Sequence, residues 1–310
     1  MHRYKATLAL TLALTGCSCT GSGPAQMPGP GTDNATESSP QAEPCQPMGS
    51  ELEIGPSDRP ATLLGPVGWC ANRPMDVVFL LHGYSANALA QDFLFGLGRQ
   101  VEELDFVLVL PNGTIDLSGR RFWNGPPGCC DFYNSGVDDV GYLHSLIEEI
   151  DSFATINNDK VYFTGHSNGG FMSYRMACEL PERVRAIVSL AGSGYPNEGD
   201  CSPEQPVSVL QIHGMLDSTI PYAGSFNYPG AVELTERWAR RAGCNANNPS
   251  EAAELNLTRT QSGTDTEVLN FASECTAGHR ASLWSLPLGG HVPILNAQFA
   301  PLIMDWLRTH

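Results

Sequence analysis

Apolar runs that predict buried strands recur along the chain from about residue 51 onward. Met75–Leu81 and Phe106–Leu110 are apolar with little polar alternation, and both are bounded by turn residues. Such runs are typical of parallel strands that are covered on both faces. The same reasoning predicts further strands at Val161–Thr164, Ala186–Leu190, Val207–Ile212 and Ser282–Leu288.

Helical periodicity fills the intervals between these runs. Within Asp138–Phe153, apolar residues recur at i, i+3, i+7 and i+10, the spacing of one buried helix face, at Val140, Leu143, Ile147 and Ile150. Further helices are predicted at Phe171–Glu179, Ala231–Arg241 and Ala297–Arg308. Repeated alternation of strand and helix predicts an α/β fold, a doubly wound and mostly parallel sheet with helices on both faces.

The amino-terminal segment departs from this pattern. The basic stretch Met1–Lys5 precedes the apolar run Ala6–Ala13, which has the length of a signal-peptide core and is too short to span a bilayer. The run ends in Leu14-Thr15-Gly16-Cys17, which resembles the bacterial lipobox, whose cysteine receives a diacylglycerol before cleavage in front of it. We therefore predict a lipoprotein signal peptide over residues 1–16 and lipidation of Cys17. Ordinary signal cleavage is the alternative.

Residues 17–55 are rich in Gly, Pro, Ser, Thr and Gln and contain almost no large apolar side chain. Such a stretch cannot bury enough surface to offset its ordering entropy. We predict a flexible tether over residues 17–55, followed by one catalytic domain over residues 56–310. The expected location is the bacterial cell envelope, at the outer membrane or cell surface, or the extracellular space.

Charge and cysteine content narrow the classes of partner. The 310 residues include 17 basic and 33 acidic side chains, a net charge of -16, which repels nucleic acids and anionic lipid surfaces. We therefore expect no nucleic-acid partner, and membrane contact only through a lipid on Cys17. Eight of the ten cysteines lie beyond the tether's first residues and allow up to four disulfides in an exported protein. Neither a Cys-x-x-Cys pair nor a His-Glu-x-x-His motif occurs, so no metal site and no cofactor are predicted.

The segment Gly165-His166-Ser167-Asn168-Gly169 fits the pattern G-x-S-x-G. It directly follows an apolar strand and directly precedes a helix, which is the setting of a nucleophile elbow. The glycines leave room where the turn is sharpest and the serine backbone is strained. Ser167 is therefore the predicted nucleophile, and the alternative is a glycine-rich loop without chemistry.

A serine hydroxyl needs a base and a carboxylate, expected in the chain order Ser, acid, His. Among the histidines after Ser167, His291 follows a strand that opens into a glycine loop and precedes the last helix, so we predict it as the base. Asp217 lies just beyond the predicted strand Val207–Ile212, where its carboxylate can accept from the imidazole and fix its tautomer. Its alternative role is to cap a turn.

Other acidic and imidazole side chains are assigned structural roles. Asp138 and Asp139 precede Ser167 and open a helix, where carboxylates match the positive end of the helix dipole. His213 is expected to hold the loop that carries Asp217. His82 also precedes Ser167, which breaks the expected chain order.

Two backbone donors should stabilise the oxyanion of an acyl-transfer reaction. The first is the N–H of Asn168, directly after the nucleophile, and the second is the N–H of Tyr84, in the loop after Met75–Leu81, with Gly83 as the near alternative. Trp123 and Tyr222 are candidate substrate contacts. These and the remaining candidate aromatic walls could equally be core residues: Tyr84, Phe122 and Tyr133.

Together these segments resemble the secreted esterases of the polyhydroxybutyrate depolymerase-like and feruloyl esterase-like family. The resemblance covers about residues 60–310, and it rests on Leu81–Tyr84, Pro111–Gly113, Trp123-Asn124 with Cys129-Cys130, Val137–Gly141, the Ser167 elbow, His213–Tyr222 and Gly289–His291. It implies the α/β-hydrolase fold, the same Ser167, Asp217 and His291 roles, and a disulfide between Cys244 and Cys275. Many members have Trp-Pro soon after the histidine, whereas this chain has Val292-Pro293-Ile294.

The expected function is that of a serine esterase that forms an acyl-enzyme on Ser167 and uses no cofactor. Its expected substrate is an ester, either a small molecule or a group carried on a polymer. Feruloyl or acetyl esters of plant polysaccharide are favoured, and hydroxyalkanoate esters are the alternative. A peptidase on the same triad and a binding lipoprotein that has lost turnover are the minor alternatives.

Overall fold

The computed structural model describes residues 44–260 and 263–309, apart from the side chains of residues 158–160. Strands and short bridged segments occur throughout this part of the chain. They are, in chain order, β1 (Glu51–Ile54), β2 (Ala61–Leu64), β3 (Met75–Leu81), β4 (Val107–Leu110), β5 (Thr114–Ile115), β6 (Arg121–Phe122), β7 (Ile156–His166), β8 (Ala186–Leu190), β9 (Ser208–Gly214), β10 (Gly224–Ser225), β11 (Tyr228–Pro229), β12 (Ser250–Glu251), β13 (Glu267–Phe271) and β14 (Ala281–Leu286).

Ten of these strands form the central sheet, in the order β1-β2-β4-β3-β7-β8-β9-β14-β13-β12. The six central strands, from β4 to β14, are parallel to one another. The pairs β1/β2, β2/β4, β12/β13 and β13/β14 are antiparallel and form the two edges. The sheet is therefore mostly parallel, as predicted. Two separate hairpins, β5/β6 and β10/β11, lie outside it.

Helices cover both faces of the sheet. They are α1 (Ala88–Phe95), α2 (Val101–Leu104), α3 (Asp139–Phe153), α4 (Asn168–Glu179), α5 (Ala231–Arg241) and α6 (Phe299–Arg308). The strand residues alternate between two cores: Phe79 of β3 packs with side chains of α3, α4 and α5. Its neighbour Leu80 packs with side chains of α1, α2 and α6 on the opposite face. None of the described helices has the length and apolar character needed to cross a membrane.

The predicted elements inside the parallel part of the sheet lie close to their observed positions. β3, β8 and α5 have the predicted bounds, and α3 begins one residue later because Asp138 is its N-cap and accepts from the Gly141 N–H at 2.8 Å. β7 is longer than predicted, since it begins at Ile156 rather than Val161. The antiparallel edge strands and α1 are absent from the prediction.

The predicted end of the tether at residue 55 is wrong. Residues 51–54 form β1, which pairs with β2, and Ile54 is buried in the core. A disulfide between Cys45 and Cys70 joins the preceding segment to the folded domain. The predicted signal peptide, Cys17 and residues 17–43 of the tether lie outside the described residues.

Four disulfides occur in the described part of the chain. They pair Cys45 with Cys70, Cys129 with Cys130, Cys178 with Cys201 and Cys244 with Cys275. The last pair is the one that the family resemblance implies. It joins the end of α5 to the segment between β13 and β14. Because β14 leads to His291, this disulfide braces the edge of the sheet that carries the predicted base.

Candidate active site

Ser167 lies at the sharp turn between β7 and α4. Its backbone adopts φ 54° and ψ -119°, a strained conformation for a residue with a side chain. The chain reverses so tightly that a Cβ on Gly165 would lie 2.5 Å from the carbonyl carbon of Gly169. Glycine is therefore required at position 165. The Ser167 N–H donates to the Leu190 carbonyl oxygen at 2.8 Å, which ties the elbow to the end of β8.

The structure brings Ser167, His291 and Asp217 together at the carboxyl ends of the central parallel strands. Ser167 follows β7, Asp217 follows β9 and His291 follows β14, and these three parallel strands present their carboxyl ends to the same side. His291 Nε2 lies 2.9 Å from the Ser167 Oγ, and His291 Nδ1 lies 2.7 Å from Asp217 Oδ2. Both distances are those of hydrogen bonds.

The environment of Asp217 keeps its carboxylate charged. Burial alone would raise the pKa of this carboxyl, but hydrogen bonds from His213, His291 and the Ile220 N–H hold the pKa well below its usual range. Asp217 Oδ1 accepts from the N–H groups of Thr219 and Ile220, each at 2.8 Å. The ionised Oδ2 therefore accepts from the Nδ1–H of His291, and this tautomer leaves Nε2 free to accept the Ser167 hydroxyl proton.

Known proteins share this architecture. A family model of the alpha/beta hydrolase fold matches residues 123–224, which include Ser167 and Asp217. The structure of an acetyl xylan esterase from Aspergillus awamori superposes with a TM-score of 0.59 and 17% sequence identity, over 84% of this chain and 100% of that chain. The chain has the α/β-hydrolase fold.

Sequence relatives carry esterase names. A probable feruloyl esterase C of Aspergillus niger is 29% identical over 195 residues, which are 60% of this chain and 63% of that protein. Feruloyl esterase B of Piromyces equi is 26% identical over 54% of this chain and 31% of that protein. The chain thus spans less than two thirds of the length of these relatives. They confirm the resemblance to feruloyl esterases that the motifs indicate.

In this fold, the loop after β3 approaches the elbow at Ser167. A Cβ built on Gly83 would lie 3.5 Å from the Ser167 Cβ. The Gly83 N–H is already engaged, because it donates to Gln91 Oε1 at 3.2 Å. Within the part of the chain that the structure describes, no protein acceptor is bonded to the Tyr84 N–H. This difference favours Tyr84 over Gly83 as the donor.

Asn168, the first residue of α4, has its side chain fully engaged with Trp123. Asn168 Oδ1 accepts from the Trp123 N–H at 2.7 Å, and Asn168 Nδ2 donates to the Trp123 carbonyl oxygen at 2.9 Å. The backbone N–H of Asn168 opens the helix, and no protein acceptor is bonded to it among the residues that the structure describes. The geometry is consistent with the predicted pair of donors, Asn168 and Tyr84.

The prediction of Trp123 as a substrate contact is wrong. Its side chain is 0% exposed, packs against the ring of His82 and donates from Nε1 to the His82 carbonyl oxygen at 3.0 Å. Trp123 therefore packs beneath the protein surface against the loop that carries Tyr84, and it cannot touch a substrate. The sequence could not separate these roles, because an aromatic side chain suits a cleft wall and a core equally well.

Tyr222 is half-buried, and its hydroxyl lies 2.7 Å from the Ser285 Oγ. Its ring packs edge-to-face with the His213 ring, with 5.7 Å between the centroids. It also lines a cavity of about 500 Å³ with residues of β13 and β14, and Ser167 is not part of that lining. A substrate contact by Tyr222 stays a prediction.

The residues that were assigned structural roles have structural partners. His82 Nε2 accepts from the Gly113 N–H at 2.9 Å, and burial lowers the pKa of His82 to about 4. Asp139 is buried against Arg59, with 2.6 Å between Oδ1 and the guanidinium, and its Oδ2 accepts from the Asn124 N–H at 2.6 Å. Burial raises the pKa of Asp139, against the opposing charge of Arg59. Neither His82 nor Asp139 bonds to a residue of the triad.

His166 was overlooked in the sequence. Its Nε2 lies 2.8 Å from the carbonyl oxygen of His291, which can only accept, so Nε2 carries a proton and donates. Burial lowers the pKa of His166 to about 4, so its ring is neutral at neutral pH. His166 thereby holds the backbone of the predicted base. Its place between Gly165 and Ser167 in the elbow is the signal that could have identified it.

Three or more metal-ligating side chains do not come together anywhere in residues 44–260 or 263–309. The side chains that do come together are a serine, an imidazole hydrogen-bonded to it and a carboxylate hydrogen-bonded to the imidazole. Asn168 and Tyr84 stay the predicted backbone donors. Such an arrangement can activate a hydroxyl for attack on a carbonyl carbon and stabilise the resulting oxyanion.

Proposed function

We propose that the chain is an exported serine esterase that hydrolyses carboxylic esters through an acyl-enzyme on Ser167. The observation that carries this proposal is the pair of hydrogen-bond distances, 2.9 Å from Ser167 Oγ to His291 Nε2 and 2.7 Å from His291 Nδ1 to Asp217 Oδ2. The names of the sequence relatives, which are feruloyl esterases, support the same reaction class.

In the proposed reaction, the proton follows the hydrogen bonds of the site. His291 Nε2 takes the proton of the Ser167 hydroxyl as Oγ attacks the ester carbonyl carbon. The oxyanion that forms accepts from the N–H groups of Asn168 and Tyr84. His291 then returns the proton to the departing alcohol, which leaves the acyl group on Ser167. Water then gives a proton to His291 as its oxygen attacks the acyl carbon. The bond from that carbon to Ser167 Oγ breaks, His291 returns the proton to Oγ, and the acid leaves.

Asp217 stabilises the imidazolium that exists between these transfers. Its carboxylate stays ionised because three N–H groups bond to it and the His213 Nε2–H lies 3.3 Å from Oδ2. An ionised partner at 2.7 Å favours the charged form of His291 while it carries both protons.

We further propose feruloyl or acetyl esters of plant polysaccharide as the substrate class, with hydroxyalkanoate esters as the alternative. An acetyl xylan esterase and feruloyl esterases among the similar proteins favour the first class. Aromatic surface beside the proposed oxyanion loop also favours it, because Tyr84 packs edge-to-face against Phe132, which is 64% exposed. An exposed ring can stack on a phenolic acid or on a sugar.

Hydrolysis of p-nitrophenyl acetate tests the reaction. We expect Ser167→Ala and His291→Ala each to lower kcat by at least about 10³-fold, because the nucleophile and the base act as one unit. Exchange of a buried serine outside the triad, Ser208→Ala, is the control. A folded Ser167→Ala variant with activity within tenfold of the wild type would refute the assignment.

A substrate panel tests the class. With a chain of residues 44–310, we expect kcat/KM for methyl ferulate or acetylated xylan to exceed that for tributyrin and hydroxybutyrate oligomers by at least about tenfold. Preference for hydroxybutyrate oligomers would replace the first class with the second. Release of amino acids from peptides, without ester hydrolysis, would favour a peptidase.

We also propose that a lipid on Cys17 anchors the enzyme in a bacterial envelope. The lipobox-like sequence before Cys17 supports this, and four disulfides are consistent with export to an oxidising compartment. We expect Cys17→Ala to abolish incorporation of labelled fatty acid and to move the protein out of the membrane fraction. Detergent-independent solubility of the full wild-type chain would contradict the anchor.

A further inference from the structure

A second histidine lies against the carboxylate that holds the predicted base. His213, at the end of β9, is almost completely buried, and its Nε2 lies 2.8 Å from the Ile220 carbonyl oxygen and 3.3 Å from Asp217 Oδ2. Both oxygens only accept, so this Nε2 carries a proton. Asp217 Oδ2 therefore accepts from the Nδ1–H of His291 and also faces, at 3.3 Å, the Nε2–H that His213 donates to Ile220.

The other nitrogen of His213 is fixed by Gln211. The amide nitrogen Nε2 of Gln211 lies 2.9 Å from the Gly192 carbonyl oxygen, and this acceptor sets the orientation of the amide. The same nitrogen lies 2.9 Å from His213 Nδ1. Its two hydrogens thus serve Gly192 and His213, and His213 Nδ1 is an acceptor. Two backbone carbonyl groups, of Gly192 and Ile220, therefore fix one neutral tautomer of His213.

The chain of hydrogen bonds continues to the helix of the nucleophile. Gln211 Oε1 accepts from the hydroxyl group of Tyr174 at 2.8 Å. Tyr174 is completely buried and belongs to α4, whose N-cap is Ser167. Hydrogen bonds thus lead from Tyr174 on α4 through Gln211 to His213, whose Nε2 lies 3.3 Å from Asp217. From Asp217, hydrogen bonds return through His291 to Ser167 at the start of the same helix.

We propose that Tyr174, Gln211 and His213 are positioning residues that hold Asp217 in register with α4, and that the His213 Nε2–H moderates the charge which Asp217 presents to His291. The proposal rests on the proposed function, since it takes Ser167 as a nucleophile. A second donor on Oδ2 restricts rotation of the carboxylate and draws charge from it. The remaining titratable side chains that face this cluster are His166, at the end of β7, and Tyr222, whose ring meets His213.

Removal of the donor tests the proposal. In His213→Leu, we expect kcat for p-nitrophenyl acetate to fall about tenfold or more while KM stays within about twofold, because the substrate does not touch this residue. The acid limb of the kcat/KM pH profile should move to higher pH, since the carboxylate then attracts the protonated His291 more strongly. His213→Gln supplies an amide N–H of similar reach, so we expect it to recover most of the lost kcat and to move the limb back.

A purely structural role would lower stability without this pattern. The matched control is Ser208→Ala. Ser208 is buried on β9, and its hydroxyl accepts from the Arg280 N–H, which takes no part in the contacts from Tyr174 to Asp217. Where His213→Leu does not fold, Tyr174→Phe serves in its place. It removes one hydroxyl group, and we expect a kcat loss of about threefold to tenfold with unchanged KM. A folded His213→Leu or Tyr174→Phe variant with wild-type kcat and an unmoved acid limb would overturn the proposal.

Phosphonylation by a fluorophosphonate probe separates the failure of this proposal from failure of the proposed function. The probe reports whether Ser167 is activated and does not depend on the identity of the ester. A wild-type chain that is phosphonylated at Ser167 but hydrolyses no ester refutes the substrate class, and the labelling rates of the variants then test the positioning residues. Equal labelling rates at every pH in wild type and His213→Leu refute the positioning role alone. A wild-type chain that is not labelled at all refutes both.

Discussion

Replacement of Gly169 by alanine should damage both the fold and the site, because no space exists for the added carbon. Gly169 is the second residue of α4. A Cβ there would overlap the Leu81 carbonyl group, with 2.5 Å to its carbon, and would lie 2.8 Å from the His82 carbonyl oxygen. Both neighbours are backbone atoms at the end of β3 and in the loop that follows. A rotamer change cannot relieve the overlap, so α4 must move away by roughly 1 Å.

The size of the effect follows from that movement. Overpacking of a dense interior costs about 1–3 kcal/mol where side chains can yield, and we expect Gly169→Ala to cost about 3 kcal/mol because backbone must yield. In a domain of this size the loss corresponds to a fall in Tm of roughly 6 °C. The same shift moves Ser167 and the Asn168 N–H relative to Tyr84, and misplacement of about 1 Å lowers kcat by roughly 10²-fold.

A second glycine provides the matched control. Gly199 lies in an exposed 3₁₀ turn, Glu198–Asp200, and a Cβ on it would meet no heavy atom within 4 Å. Gly199→Ala should leave activity unchanged and alter the free energy of unfolding by less than about 1 kcal/mol. Thermal unfolding and ester hydrolysis of the two variants make the comparison. A Tm of Gly169→Ala within 2 °C of the wild type corresponds to a loss on the order of 1 kcal/mol in the free energy of unfolding. Such a Tm, together with an unchanged kcat, would show that the elbow has room for a Cβ at position 169.

Three further outcomes follow from the same contacts. Asp217→Asn should lower kcat less than Ser167→Ala does, because the nucleophile and base remain but an amide can donate to Nδ1 and so favour the wrong tautomer of His291. Steady-state hydrolysis beside a melting curve of the same variant checks this, and wild-type kcat in a folded variant would contradict it. Burial lowers the pKa values of His82 and His166 to about 4, so below pH 6.5 the unfolded chain binds protons that the folded chain does not. The free energy of unfolding should therefore fall between pH 6.5 and pH 4 by roughly 3 kcal/mol for each histidine. Guanidinium unfolding at several pH values measures this loss, and a flat profile in this window would contradict it. The paired exchange of Cys244 and Cys275 to alanine should cost roughly 3–4 kcal/mol, since the disulfide joins residues 31 positions apart; equal unfolding midpoints with and without it would show that the loop is already held by β13 and β14.

The parallel core of the sheet could be predicted because each central strand is apolar on both faces. The edges could not be predicted in this way, since β1 and β12 are short and largely exposed and therefore lack a continuous apolar run. Helix α1 was missed for a related reason. Its Leu89 and Phe93 are 74% and 81% exposed, so apolar residues lie on its outer side as well and the helical periodicity is blurred.

The triad was accessible to sequence reasoning because each member lies in a loop directly after a predicted strand, in an order typical of a serine hydrolase. The residues around it were not accessible. His166 bonds to a residue 125 positions away, and Tyr174 bonds to Gln211 over 37 positions. The place of His166 in the elbow motif marks its position but not its partner, and no local pattern marks Tyr174 or Gln211, because a buried polar side chain is chosen by what it meets in three dimensions.

Three segments that lie far apart in the sequence, around His82, Gly113 and Trp123, together hold the two proposed oxyanion donors in place. Trp123 exchanges two hydrogen bonds with the Asn168 side chain on α4, and its indole donates to the His82 carbonyl oxygen in the loop before Tyr84. His82 in turn accepts from the Gly113 N–H. Each bond joins groups that are buried, so loss of one partner would leave the other unsatisfied at a cost of about 1–3 kcal/mol. The two proposed donors thus belong to one hydrogen-bonded unit that is fixed before any substrate binds. In the proposed esterase, discrimination among esters would then depend on the exposed side chains around this unit.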